Sequence, residues 1–206
     1  MDFQLSPDDG EYLVRLAREA IETALRTQRS FNPLNVPKNL QINCGVFVTL
    51  NKVTGGDHNL RGCIGFPYPV KPLAEAVVDS AISAALQDTR FTPVTMDEVG
   101  YIVIEVSILT PPTVIQVNKT DQYPKHVQVG VDGLIISRGD NRGLLLPQVA
   151  VDYGWSPEEF LSQCCVKAWL PKDAWRMPGT GVSKFQALIY GEDSPRGPVK
   201  RMELHG

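Results

Sequence analysis

Gly45-Val46-Phe47-Val48-Thr49-Leu50, then Thr54-Gly55-Gly56-Asp57, then Leu60-Arg61-Gly62-Cys63-Ile64-Gly65 decide how this chain is read. A run rich in β-branched and aromatic residues, a glycine pair at turn spacing and a second short run together spell a β-hairpin. Side chains of a strand alternate between faces, so a regular second strand predicts Arg61 and Cys63 as neighbours on one face, with Gly62 and Ile64 on the other. A cysteine beside an arginine and between glycines has two readings. A nearby cation favours a thiolate, and glycines let a ligand approach the backbone, which makes Cys63 a candidate reactive thiol and Gly62 and Gly65 candidate binding positions. The spacing favours the other reading, Cys63 as a small hydrophobe at a strand end, with the glycines serving a bulge or turn. His58, in the glycine-rich turn, reads as a solvated loop residue.

The next strand outward is clearer. Ile102, Ile104, Val106 and Ile108 share one face, while Tyr101, Val103, Glu105, Ser107 and Leu109 share the other. Glu105 in the middle of its face must be paired, hydrated or pushed toward protonation. A salt bridge to Arg61 or Arg90 is one reading, and an acid/base role is the other. Arg90, in Asp88-Thr89-Arg90-Phe91, follows an alanine-rich helix over 73–86 and reads as an anion contact or as the partner of a carboxylate at the core edge.

Before the hairpin, Ser6-Pro7-Asp8-Asp9 is a helix start, with a serine cap, proline at the first helical position and acids at the positive end of the helix dipole. Pro33 and Pro37 then mark a connector. After residue 110, Asp132-Gly133 and Arg138-Gly139-Asp140-Asn141-Arg142-Gly143 read as turns. The second mixes glycine with Arg142, a candidate anion contact. Ser156-Pro157-Glu158-Glu159 starts another helix, carrying Cys164 and Cys165 on different faces, and Phe185, Ala187 and Ile189 alternate in a last strand. From Asp193 to Gly206 the composition predicts a flexible tail.

The whole composition narrows the classes. A chain of 206 residues that is 43% hydrophobic buries a real core without staples. The net charge of -3, without long runs, lacks the electrostatic footprint of a nucleic-acid binder. Four cysteines with no C-x-x-C spell neither a disulfide framework nor a zinc site, so the reading is reduced thiols in a cytoplasm, with no metal and no cofactor. No apolar run approaches the ~18 residues of a membrane span.

Several of these segments together resemble the AMMECR-type domain family. The most specific is Leu60-Arg61-Gly62-Cys63-Ile64-Gly65, accompanied in order by Asp88-Thr89-Arg90-Phe91, Glu105-Val106-Ser107-Ile108-Leu109, Val131-Asp132-Gly133-Leu134 and Arg142-Gly143-Leu144-Leu145-Leu146-Pro147-Gln148. The resemblance implies an α+β fold, with antiparallel or mixed sheets flanked by helices, two unequal subdomains and a cleft near the hexapeptide. It implies one domain over residues 1–192, and the smaller subdomain is expected within 32–96. Thr89 stands where such proteins often carry proline, and Trp169 where glycine is frequent. No firm reaction comes with the resemblance, but prokaryotic members are associated with a radical-SAM enzyme and a Memo-type protein, which suggests a shared modification or redox pathway.

Two functional expectations follow. In the first, Cys63 is nucleophile or redox thiol, Glu105 is acid/base, and Arg61, Gly62, Gly65, Arg90 and Arg142 surround a substrate. In the second, the hexapeptide surface is a non-catalytic protein-binding or adaptor module with the same two partner types.

Overall fold

The computed structural model describes residues 5–29 and 31–202. Within them the chain forms an α+β fold that divides into two compact units, one made of residues from 5–109 and 188–202 and the other of 110–187.

In the first unit, helix α1 (Pro7–Thr27) starts as its sequence dictates. The Ser6 hydroxyl accepts the Asp9 N–H at 3.1 Å, and the Asp9 carboxylate accepts the Ser6 N–H at 2.9 Å. Strands β1 (Gly45–Thr54) and β2 (Asp57–Phe66) form the antiparallel hairpin, with Gly55 and Gly56 both at positive φ in the two-residue turn, where a side chain would be strained. Helix α2 (Leu73–Leu86) and the short α3 (Met96–Val99) precede β3 (Ile102–Leu109), which pairs β1 on the edge away from β2.

The alternation in β1 and β3 builds this unit's core. Val46, Val48 and Leu50 join Ile102, Ile104, Val106 and Ile108, and Leu13, Ala17, Ile21, Val77 and Ala81 from α1 and α2 belong to the same buried cluster. Alanines let α2 come close. The Ala84 carbonyl oxygen lies 2.2 Å from where a Cβ on Gly62 would stand, so Gly62 is required by the packing of α2 on β2.

The second unit begins with β4 (Thr113–Val114), followed by the hairpin of β5 (Asp132–Arg138) and β6 (Asn141–Leu145), helices α4 (Pro147–Asp152) and α5 (Pro157–Lys167), and β7 (Gly181–Glu192). β5 pairs β6 on one side and the first half of β7 on the other, while β4 pairs β7. Its core gathers Leu134, Ile136, Phe160, Leu161, Cys164, Trp175 and Val182.

The second unit corrects the expected subdomain at 32–96. Those residues supply the β1–β2 hairpin and helix α2 to the first unit, with Val46, Val48, Leu50 and Val77 in its core. The expected flexible tail is also corrected over its described part. Val199–Met202 forms β8 on the end of β7, and Arg196 pairs with Glu22 at 2.8 Å. Residues 1–4, Ser30 and residues 203–206, with the last part of the expected tail, lie outside the described residues.

One buried ion pair fastens this C-terminal segment. Arg18 donates to the Glu192 carboxylate (Nε–Oε1 2.6 Å) and to the Ile102 carbonyl (2.6 Å), while Glu192 Oε2 also accepts the Ile104 N–H at 3.2 Å. Each buried charge is met by hydrogen bonds, the condition under which a buried pair holds.

Candidate functional site

Cys63 stands directly opposite Thr49, and Thr49 directly opposite Glu105, so the three form one row across β2, β1 and β3. Their neighbours Val48 and Leu50 point into the core, which puts the row on the opposite face of the sheet. The Thr49 hydroxyl donates to the Cys63 Sγ at 3.3 Å. Adjacent strands lie about 4.8 Å apart, so Cys63 and Glu105 are about 10 Å from each other with Thr49 between them.

Glu105 is flanked by buried Val103 and Ser107, and its only side-chain hydrogen bond among the described residues is a long one from the Ser107 hydroxyl, 3.4 Å. Burial pushes its carboxyl above the ordinary range, with the Ser107 bond opposing. The expected salt bridge is not formed, because both candidate arginines are taken. Arg61 donates through Nε and Nη2 to Glu98 at 3.2 and 2.9 Å, and Arg90 through Nε and Nη2 to Asp88 at 3.0 and 2.7 Å.

The expected neighbourhood of Arg61 and Cys63 is corrected by a bulge. Leu50 pairs with Gly62 and Asn51 with Leu60, which leaves Arg61 as the extra residue and breaks the alternation at that point. Its guanidinium runs to Glu98 of α3, and its Nη1 is buried without a hydrogen-bond partner among the described residues. The bond from Arg61 is the main reason the Glu98 carboxyl is held down to about 2.

Asp88 and Arg90 act on the main chain of Cys63. β2 is the end strand of its sheet, so the Cys63 N–H and C=O point away from β1 toward open edge. Asp88 Oδ2 accepts that N–H at 2.9 Å, and Arg90 Nη2 donates to that carbonyl at 3.3 Å. The pair thus supplies the donor and acceptor that a neighbouring strand would have given. The Arg90 bond drives the Asp88 carboxyl well below the usual range. Both guanidiniums lie over the Phe91 ring, 5.8 Å from its centroid for Arg61 and 5.5 Å for Arg90.

The two glycines of the hexapeptide face their own chain. Gly62 meets Ala84 as described, and a Cβ on Gly65 would stand 2.2 Å from the Val46 carbonyl oxygen. Close approach is what requires glycine at both places, but the approaching backbone belongs to the protein itself. Arg142 lies in the second unit, on β6 opposite Ser137.

Four site residues were not singled out by sequence reasoning: Thr49, Asp88, Phe91 and Glu98. Asp88 had a signal, an acid two residues before an arginine in the turn that ends a helix. Thr49 and Glu98 had none, since only strand register and the bulge bring them to Cys63 and Arg61. Two cavities, of about 610 and 280 Å3, are lined by residues of the 31–41 connector, α1 and α2, and the hexapeptide lines neither. Among the described residues no group of three or more His, Cys, Asp or Glu is placed to hold a metal ion, and no helix is long and apolar enough to cross a membrane.

The sequence model of the AMMECR1 family matches residues 14–190. The chain belongs to the AMMECR1 family. AMMECR1-family relatives run along nearly its whole length. Protein PF1979 of Pyrococcus furiosus is 50% identical over 209 residues, covering 98% of this chain and 97% of that protein. A Methanothermobacter thermautotrophicus protein is 51% identical over 190 residues, covering 92% and 97%. The crystal structure of the uncharacterized protein PH0010 from Pyrococcus horikoshii matches with a TM-score of 0.82 at 48% identity, covering 97% of this chain and 99% of that one. The AMMECR1 match embraces the Cys63–Thr49–Glu105 row, the Asp88–Arg90 pair and both units.

Proposed function

We propose that the sheet face centred on Thr49 is the functional surface, and that Cys63 and Glu105 act on a substrate lying across Thr49. The observation that carries this reading is the row itself. A half-buried thiol stands at one end and a carboxyl without an ion partner among the described residues at the other, with the Thr49 hydroxyl between them. The Cys63 thiolate adds to an electrophilic centre of the substrate, and the protonated form of Glu105, which burial favours, gives its proton to the group that leaves. Water then releases the product from the thiol, with Glu105 taking the proton back.

The arginines have a different part from the one their charge suggested. Arg90 fixes the Cys63 backbone through Asp88 and keeps a half-exposed side chain as a substrate contact. Arg61 is a positioning residue at the bulge, and Gly62 and Gly65 shape the strand. Arg142 keeps its expected part as an anion contact on the turn of the second unit. This reading places the chain in the cytoplasm, where its four free thiols stay reduced. It also makes the chain one component of a modification or redox pathway, with the radical-SAM and Memo-type partners that the family resemblance suggests.

Mass spectrometry of the protein incubated with thioester and alkyl electrophiles tests it. A Cys63 adduct that forms and is released in the wild type, and accumulates in Glu105→Gln, is the expected result. Equal release from both proteins, or no reaction at Cys63, would sink the reading.

One observation favours a second reading, a protein-binding or adaptor module. β2 is an edge strand with Asp57 to Leu60 exposed, a position where a partner's extended segment adds by main-chain hydrogen bonds. A complex with a radical-SAM or Memo-type protein that survives Cys63→Ala but is lost on Leu60→Pro would favour it.

A further inference from the structure

Helix α5 ends in a conformation that its sequence does not suit. Trp169, just past the helix, has a φ of 59°, the left-handed region where glycine is the usual residue because a Cβ is crowded there. It is fixed in place by its N–H to the Val166 carbonyl at 2.9 Å and by Asn141 Nδ2 donating to its own carbonyl at 3.4 Å. The indole is 91% exposed, and Val166, in the last turn of α5, is 44% exposed. Lys167, between them in sequence, is exposed and makes no ion pair among the described residues. A large aromatic ring held out in water on a strained backbone, beside an unpaired cation, has the composition of an interface anchor.

The first unit carries a receptor of the opposite character. The cavity of about 610 Å3 between the 31–41 connector and α2 has Phe31, Val36 and Val78 among its lining. Glu75 and Asp79 line it too, one helical turn apart on the same face of α2. Lys71 is bonded to Asp79 and shows that this rim accepts an ammonium group. Glu75 has no ion pair among the described residues. Cavities of roughly 300–1,000 Å3 take groups of drug size, so one indole fits with room to spare.

We infer that Trp169 of one copy of this chain seats in the cavity beside α2 of a second copy, with Lys167 of the first meeting Glu75 of the second. The ring supplies the affinity, and the rim pair sets which partner is accepted. Each copy carries one knob and one cavity, so the contact forms either reciprocally in a two-fold dimer or head to tail in a ring or chain of copies.

Analytical ultracentrifugation of the full chain across a wide concentration range, at low and moderate salt, tests this. The wild type is expected to gain mass with concentration. Trp169→Gly is expected to stay monomeric while folding at least as well, since glycine suits the left-handed backbone. Glu75→Lys should weaken association severalfold, and combining it with Lys167→Glu should restore it. A wild type that stays monomeric, a Trp169→Gly protein that associates equally, or an assembly that Glu75→Lys leaves intact would each overturn the inference.

Discussion

Asp88 holds the backbone of Cys63 from the side. Its carboxylate accepts the Cys63 N–H at 2.9 Å while being gripped by Arg90, which in turn donates to the Cys63 carbonyl at 3.3 Å. Replacing Asp88 by alanine leaves an N–H without its partner and sets the Arg90 guanidinium loose. The expected cost is about 1–3 kcal/mol, the price of orphaning a partly buried donor. A urea unfolding curve should show a lower midpoint with an unchanged slope. Faster amide exchange at Cys63 than at Val48 would locate the loss at the edge of β2.

Glu98 and Glu105 should make stability respond to pH in opposite senses. Arg61 holds the folded Glu98 carboxyl down to about 2, so its contribution is complete above the ordinary value of about 4.3 and is lost as pH falls toward 2. Burial raises the folded Glu105 carboxyl, so the folded state is favoured while it keeps its proton. That advantage is lost as pH rises from about 4.3 through the raised value. Thermal unfolding as a function of pH checks both. Glu98→Gln should flatten the acid limb. Glu105→Gln should be more stable than wild type at neutral pH and lose that gain in acid.

Gly62→Ala should cost about 1–3 kcal/mol, because the new Cβ meets backbone, which cannot swing aside as a side chain would. Gly100→Ala is the control. It has no atom within 4 Å of the added Cβ and a helical φ of -66°, so it should be close to neutral. Equal midpoints for the two variants would contradict the packing of α2 against β2.

The four thiols should separate cleanly in an alkylation experiment on the folded protein. Burial lifts Cys44 to about 11 and Cys164 to about 12, and raises Cys165 as well. At pH 8 a thiol of pKa 11 is ionised to only about one part in a thousand, and all three are shielded besides. Modification should therefore appear at Cys63 first, with the other three following only on unfolding. Peptide mass spectrometry reads the order directly.

Local chemistry wrote much of this fold into the sequence. The Ser6 cap, the Gly55-Gly56 turn and the alternation over 102–108 each act within a few residues, and each formed where its residues predicted. The site was legible only in part. Cys63, Arg90 and Glu105 stood out as reactive or ionisable groups in unusual settings, but their partners were misjudged. The bulge at Arg61 sends that side chain to Glu98, and Asp88 claims Arg90 from two residues away, so Glu105 keeps no cation. Strand register depends on long-range pairing, and a shift of one residue changes every neighbour beyond it.

Trp169 is the sharpest case of the same division. The sequence by itself determined the hairpin and the helices, because capping, turn formation and hydrophobic periodicity are short-range effects, and its resemblance to the family carried the α+β class. Only the tertiary structure decided that the chain divides near residue 110, that Thr49 links Cys63 to Glu105, and that Trp169 stands in water on a left-handed backbone. Each of those depends on which distant segments exclude water together, and no local pattern carries that information.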